Sequence, residues 1–275
     1  LCAVIGPAVA AATAGEPTER PNILLIMADQ LVPFLTGAYG HPVVQTPNLD
    51  RLVEEGVRFD AAYTPYPLCA PARAAFMTGK YGSALGCYDN AAVLPSDEPT
   101  IAHYLTNAGY EAVLTGKMHF IGPDQLHGFR RRLTTDVFPA GVDWVPTLDA
   151  VGQFGGGGHA RNYVPPNVGV RAWTKFLSYD EEAQFRALEY IRERGRSPDA
   201  EPFFLTVSYH HPHDPFHVTQ ELWDLYEGEE IEVPVYPEDL EQTYSALDRW
   251  LNEHHETSKV DLGNPDNLRA LRRSY

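Results

Sequence analysis

Apolar residues in this chain gather into short continuous runs, and amphipathic stretches separate them. Asn22 to Ala28 is one such run, as expected for a strand buried on both faces. Val57 to Tyr63, Glu111 to Thr115 and Pro202 to Ser208 predict further strands. Between them lie helical signals. Thr46 can cap a helix that has Pro47 at its first position and Gly56 at its end. Ala72 to Thr78 reads as helix, with Pro71 in the first turn and Gly79 just past the end. Thr100 to Asn107 is helical and stops at Gly109, and Asp180 to Arg194 spaces Ala183, Leu188 and Ile191 among Glu and Arg. This alternation predicts an α/β fold, a mostly parallel sheet with helices on both faces. Pro146 to Pro166, with Gly155 to Gly158 in a row, predicts a long irregular loop, and there is no internal repeat.

Composition changes this picture in three places. A net charge of −16 argues against nucleic acid as a partner, because backbone phosphates need a basic surface. It leaves an anionic small molecule open, since local groups govern a site. Three cysteines, Cys2, Cys69 and Cys87, give no disulfide framework. No stretch is long enough to span a bilayer. Residues 1–20 form a separate segment: Ala3 to Ala14 is small and apolar, and Ala12-Thr13-Ala14 has the look of a signal-peptidase site. It reads as a leader remnant, implying export to the periplasm, or else as a disordered extension of a cytoplasmic protein. Residues 21–275 then form the folded portion.

The polar residues that could carry chemistry fall just after predicted strands. Asp29 follows the first run, Lys117 and His119 follow Glu111–Thr115, and His211 follows the Phe203–Ser208 strand. In parallel α/β sheets ligands bind beyond the carboxyl ends of strands, so these residues should converge at one edge. Cys69 sits just before a helix whose free N–H groups suit a sulfate dianion or monoester. Singly, each has an ordinary reading: a turn residue, a solvated charge, satisfied histidines, a small buried thiol. Their arrival together at one edge favours a site.

The run Pro67-Leu68-Cys69-Ala70-Pro71-Ala72-Arg73 contains Cys-x-Pro-x-Arg, the signal by which a cysteine is oxidised to Cα-formylglycine. With Cys87-Tyr88-Asp89-Asn90-Ala91-Ala92, the stretch Gly116 to Phe129 and His211-Pro212-His213-Asp214-Pro215, the chain from Pro21 onward resembles the type I sulfatases. Within that family it is most similar to the choline sulfatases. The resemblance implies an alkaline-phosphatase-like sulfatase fold and hydrolysis of choline sulfate or a related small sulfate ester. Catalysis there must supply on the order of 20 kcal/mol of transition-state stabilisation. It implies that Cys69 matures to formylglycine through a formylglycine-generating enzyme, one hydroxyl of the hydrate attacking sulfur and the other expelling sulfate. Arg73 would orient the hydrate, Lys117 neutralise sulfate oxygens, His119 deprotonate the second hydroxyl and His211 protonate the leaving alcohol. Asp29 and Gln30, with matured Cys69, would hold Ca2+ or Mg2+ through oxygen.

Three features qualify the resemblance. Gln30 stands where many sulfatases have a second aspartate, a mark shared with choline sulfatases. The family's remaining metal ligands and a second lysine would come from a segment beyond Tyr275. The chain therefore reads as the N-terminal portion of a longer enzyme, inactive by itself, with Leu268 and Leu271 left without partners and room for an oligomer in the longer form. Asn90, Asp143 and Trp144 are candidates for the substrate's head group, but the tryptophan-rich stretch usual after the Trp144 region is replaced by Gln153-Phe154-Gly155. Sulfated carbohydrates therefore remain an alternative substrate, phosphonate or phosphodiester hydrolysis an alternative reaction, and a non-catalytic binding chain a third reading.

Overall fold

The computed structural model describes residues 2–5, 20–137, 168–197, 200–233, 239–254, 261 and 263–275. The expected loop from Pro146 to Pro166 and the candidates Asp143 and Trp144 lie outside the described residues. The chain divides into two units, residues 1–145 with 178–211 and residues 146–177 with 212–275.

The first unit is built on a five-stranded sheet. Its strands are β1 (Cys2–Ile5), β2 (Ile23–Ala28), β3 (Glu111–Gly116), β4 (Arg131–Arg132) and β6 (Phe203–Tyr209), in the order β1-β2-β6-β3-β4. β2, β6, β3 and β4 run parallel. β1 pairs antiparallel to β2, so part of the segment expected to be a leader remnant or extension forms an edge strand. The central strands are apolar on both faces because each face is covered. Alternate side chains Leu25, Met27, Ala112, Leu114 and Phe204 enter one core with Ala74 and Met77 of α2 (Cys69–Thr78) and Ala102 of α4 (Ile101–Asn107). Val113, Leu205 and Val207 point the other way and pack on Ala187 and Tyr190 of α5 (Lys175–Gly195). The mostly parallel α/β architecture is thus as the hydrophobic pattern predicts.

Other elements differ from the expectation. Residues 57–63 are not a strand: Val57, Phe59 and Tyr63 are 80%, 68% and 88% exposed, and no neighbouring chain pairs with them among the described residues. β-branched and aromatic content favours a strand only where a pleated, half-buried surface exists to receive it. α2 begins at Cys69, earlier than Pro71 suggests, with Leu68 extended as its N-cap. Proline is tolerated at the third position because N–H groups of the first turn have no intrahelical acceptor to lose. α1 (Pro47–Glu55) starts at Pro47 as expected, but the Thr46 hydroxyl donates to Asp50 Oδ1 and does not cap a helix N–H; α4 starts in a capping box in which Thr100 and His103 satisfy each other's backbone N–H groups. The short helix α3 (Gly82–Leu85) follows α2.

The second unit holds a small parallel sheet, β5 (Gly169–Val170) with β7 (His217–Val218), and helices α6 (Gln220–Asp224), α7 (Leu240–Thr243), α8 (Ala246–His254) and α9 (Pro265–Ser274). In α9 Leu268 is buried at 7% exposure, against the expectation that it lacks partners, and Arg273 lies over the Trp223 ring at 4.2 Å.

Candidate active site

Three parallel strands end level. Ala28 pairs with Tyr209 and Gly116 with Ser208, so Asp29, Lys117 and the pair His210–His211 leave the sheet at one edge. Two turns there are strained. Gln30 has φ 63° and His119 φ 59°, left-handed backbone that residues with a Cβ rarely adopt. Such conformations cost on the order of 1 kcal/mol or more each and collect at functional sites. Gly116, φ +91°, cannot carry a side chain, because a Cβ would collide with the Ser208 carbonyl.

At the centre of the edge Asp29, Lys117 and Arg73 are all buried, 8%, 0% and 5% exposed. Lys117 Nζ contacts Asp29 Oδ2, and Arg73 Nη2 lies 3.3 Å from the same oxygen. Arg73 Nη1 donates to the Lys117 carbonyl and, at 2.9 Å, to Ser208 Oγ. One carboxylate thus meets two cations, a surplus of one positive charge in a low-dielectric setting that favours an anionic ligand. Cys69, the first residue of α2, brings its thiol to 3.9 Å from Asp29 Oδ1. Asn90 Oδ1 accepts the Ala70 N–H at 2.9 Å, so this candidate head-group residue ties down the same helix end. Burial and then the Asp29 carboxylate push the Cys69 thiol up, against the pull of Lys117 and Arg73. It is therefore a poor thiolate nucleophile as it stands.

The two histidines are each carried by a loop tied to a carboxylate that the sequence pattern does not disclose. Asp136 Oδ2 accepts the N–H groups of Met118 (3.0 Å) and His119 (2.7 Å) and pairs with Arg132 at 2.8 Å. Burial works against its charge, but Arg132 and those two N–H groups hold its carboxyl below the usual range. The His119 ring is 4% exposed, and burial followed by the Lys117 charge lowers it to about 4. At neutral pH His119 is therefore an uncharged acceptor. Asp180, on α5, accepts the N–H of His210 at 2.7 Å through Oδ1 and the N–H of His211 at 2.9 Å through Oδ2. The same Oδ2 lies 2.7 Å from Nδ1 of His211. His211 contacts Asp180 and the His210 ring, and the Asp29 cluster is held by Lys117 and Arg73 instead.

The cation implied by the resemblance is not held by the described residues. No three His, Cys, Asp or Glu side chains among them converge on one point, and the single carboxylate, Asp29, is already countered by Lys117 and Arg73. Oxygen-liganded Ca2+ takes six to eight ligands, which Asp29 and Gln30 do not supply.

Comparison with known proteins gives the site its context. A family model described as Sulfatase matches residues 21–256. A choline-sulfatase from Rhizobium meliloti (strain 1021) is 40% identical over 264 residues, covering 94% of this chain and 51% of that protein. Iduronate 2-sulfatase of Mus musculus is 30% identical, covering 96% of this chain and 50% of that protein. The crystal structure of a phosphonate monoester hydrolase from Agrobacterium radiobacter superposes with a TM-score of 0.65 at 24% identity, over 93% of this chain and 56% of that one. The chain spans about half the length of the curated relatives it matches.

Proposed function

The chain belongs to the sulfatase family, and on that premise we propose that it contributes the sulfate-binding half of a site that hydrolyses choline sulfate or a related small sulfate monoester to the alcohol and inorganic sulfate. One observation carries this reading: Cys69, inside a complete Cys-x-Pro-x-Arg, opens a helix against a buried cluster of one carboxylate and two cations. Helix N–H groups and the surplus positive charge are complementary to a sulfate monoester. Choline as the alcohol rests on the 40% identity with the Rhizobium protein.

Matured to formylglycine, Cys69 would supply an aldehyde hydrate as nucleophile. The other residues then have tasks their surroundings suit. Lys117, buried, holds the sulfate oxygens and the charge that grows on them, and Arg73, buried against Asp29 and Ser208, orients the hydrate. His119, neutral because burial and Lys117 suppress its proton affinity, accepts a hydroxyl proton. His211 presents Nε2 to the departing alcohol oxygen and gives it a proton.

The test uses the complete gene product expressed with a formylglycine-generating enzyme. The expected result is conversion of Cys69 in the peptide mass map, with Cys2 and Cys87 unchanged, and sulfate release from choline sulfate and nitrophenyl sulfate. Full activity with Cys69 still a thiol, or turnover of phosphonate and phosphate esters in place of sulfate esters, overturns the reading.

A further inference from the structure

We infer that Asp180 is the positioning residue of the leaving-group histidine: its carboxylate fixes the backbone, the ring orientation and the tautomer of His211. This rests on the sulfate-ester reading above for the role of His211, though not for the geometry. Three hydrogen-bonding groups of two adjacent residues converge on this one side chain: His210 N at 2.7 Å on Oδ1, with His211 N at 2.9 Å and His211 Nδ1 at 2.7 Å on Oδ2. A carboxylate has no proton of its own to offer at neutral pH, so the ring nitrogen facing it is the donor. That places the proton of the neutral ring on Nδ1 and leaves Nε2 to take up a second proton, the one the imidazolium gives to the leaving alcohol while Nδ1–H stays on Asp180.

The anchor is stiff at its base. Asp180 projects from a 21-residue helix whose neighbouring residues Tyr179 and Ala183 are buried, and Tyr179 donates its hydroxyl to the Thr135 carbonyl at 2.9 Å. Asp180 and His211 side chains are 14% and 24% exposed, closed enough that water does not replace the contact, and Nε2 itself is buried with no hydrogen-bond partner among the described residues. The His210 ring stands edge-on to His211 at 5.7 Å and restricts rotation on that side. Asp180→Asn is a discriminating change. An amide can offer only one oxygen to the three donors and must turn its NH2 toward either a backbone N–H or Nδ1. Facing Nδ1, the amide donates, and the ring proton moves to Nε2.

Nitrogen-15 NMR of histidine-labelled protein reads the tautomer directly. With the ring neutral, wild-type His211 is expected to carry its proton on Nδ1, and Asp180→Asn to shift part of it to Nε2. In the matured complete enzyme Asp180→Asn should lower kcat for an alkyl sulfate on the order of 10²-fold more than for nitrophenyl sulfate, whose leaving group needs little protonation. Asp180→Glu should recover part of that difference. A wild-type proton on Nε2, or equal losses on the two esters, overturns the inference. The wild-type tautomer decides it even should Asp180→Asn fail to fold. A wild type inert toward every sulfate ester, with the tautomer switching as described, would sink the sulfatase reading and leave the positioning intact.

Discussion

The loops after β3 and β6 use one device for two ends. Each turns away from the sheet edge, and each has two successive backbone N–H groups gathered by a carboxylate from elsewhere in the chain. On the β3 loop that carboxylate, Asp136, turns to Arg132 for charge balance and accepts the backbone N–H groups of Met118 and His119. On the β6 loop Asp180 reaches past the backbone to the ring of His211. For the first histidine, burial and Lys117 outweigh the pull of the Asp136 charge and keep the ring uncharged. The second has its ring fixed at Nδ1. A proton acceptor and a proton donor can arise from the same loop architecture, depending on whether the holding carboxylate touches the imidazole.

The sharpest way to break this comparison is to remove the deeper anchor. Asp136→Ala strips three partners from a side chain only 2% exposed and leaves Arg132 buried without its counter-charge, so a loss of about 3–5 kcal/mol is expected in urea unfolding. A loss below about 1 kcal/mol would show that the β3 loop holds itself.

Acid should distinguish the loops next. Folded His119 stays neutral down to about 4, whereas an unfolded histidine takes up its proton near 6.5. Across that window the unfolded chain binds more protons, so stability falls as pH drops from 6.5 to 4, by about 3 kcal/mol from this ring. His119→Asn, which tolerates positive φ, should flatten the slope. A slope unchanged in His119→Asn would show that this ring is not held neutral.

Gly116→Ala tests the junction where both loops begin. Its Cβ would drive β3 off the Ser208 carbonyl, and it would also sit at φ +91°, for a loss of about 2–3 kcal/mol by thermal or urea unfolding. The smallest effect is expected from His211→Gln. One hydrogen bond at a partly exposed ring is worth about 1 kcal/mol or less. A loss several times larger would mean that His211 carries structure as well as chemistry.

Much of the frame was legible before any coordinates. β2, β3 and β6 are apolar on both faces, and their ends locate Asp29, Lys117 and His211 on one edge. Residues 57–63 misled because strand-forming side chains do not disclose whether a partner strand exists. The anchors Asp136 and Asp180 were hidden for a different reason. They lie 17 positions after His119 and 31 before His211, and an acidic residue that leaves a loop or a helix to hold a distant backbone looks like any solvated charge. Two pointers were present in principle: Asp180 is acidic on the sheet-facing side of its helix, beside Tyr179 and Ala183, and Asp136 follows the run of three arginines Arg130 to Arg132.

The start of α2 sets an order of events in the life of the chain. Pro71 is buried, and the Arg73 guanidinium is sealed between Asp29, the Lys117 carbonyl and Ser208. An enzyme that must read cysteine, proline and arginine as an extended strip finds, in the folded molecule, a helical turn whose arginine is out of reach. Maturation of Cys69 on the reading proposed here therefore belongs to the interval between synthesis and folding. A slowly folding chain has time to acquire its aldehyde, and one that closes this helix early keeps its thiol for good.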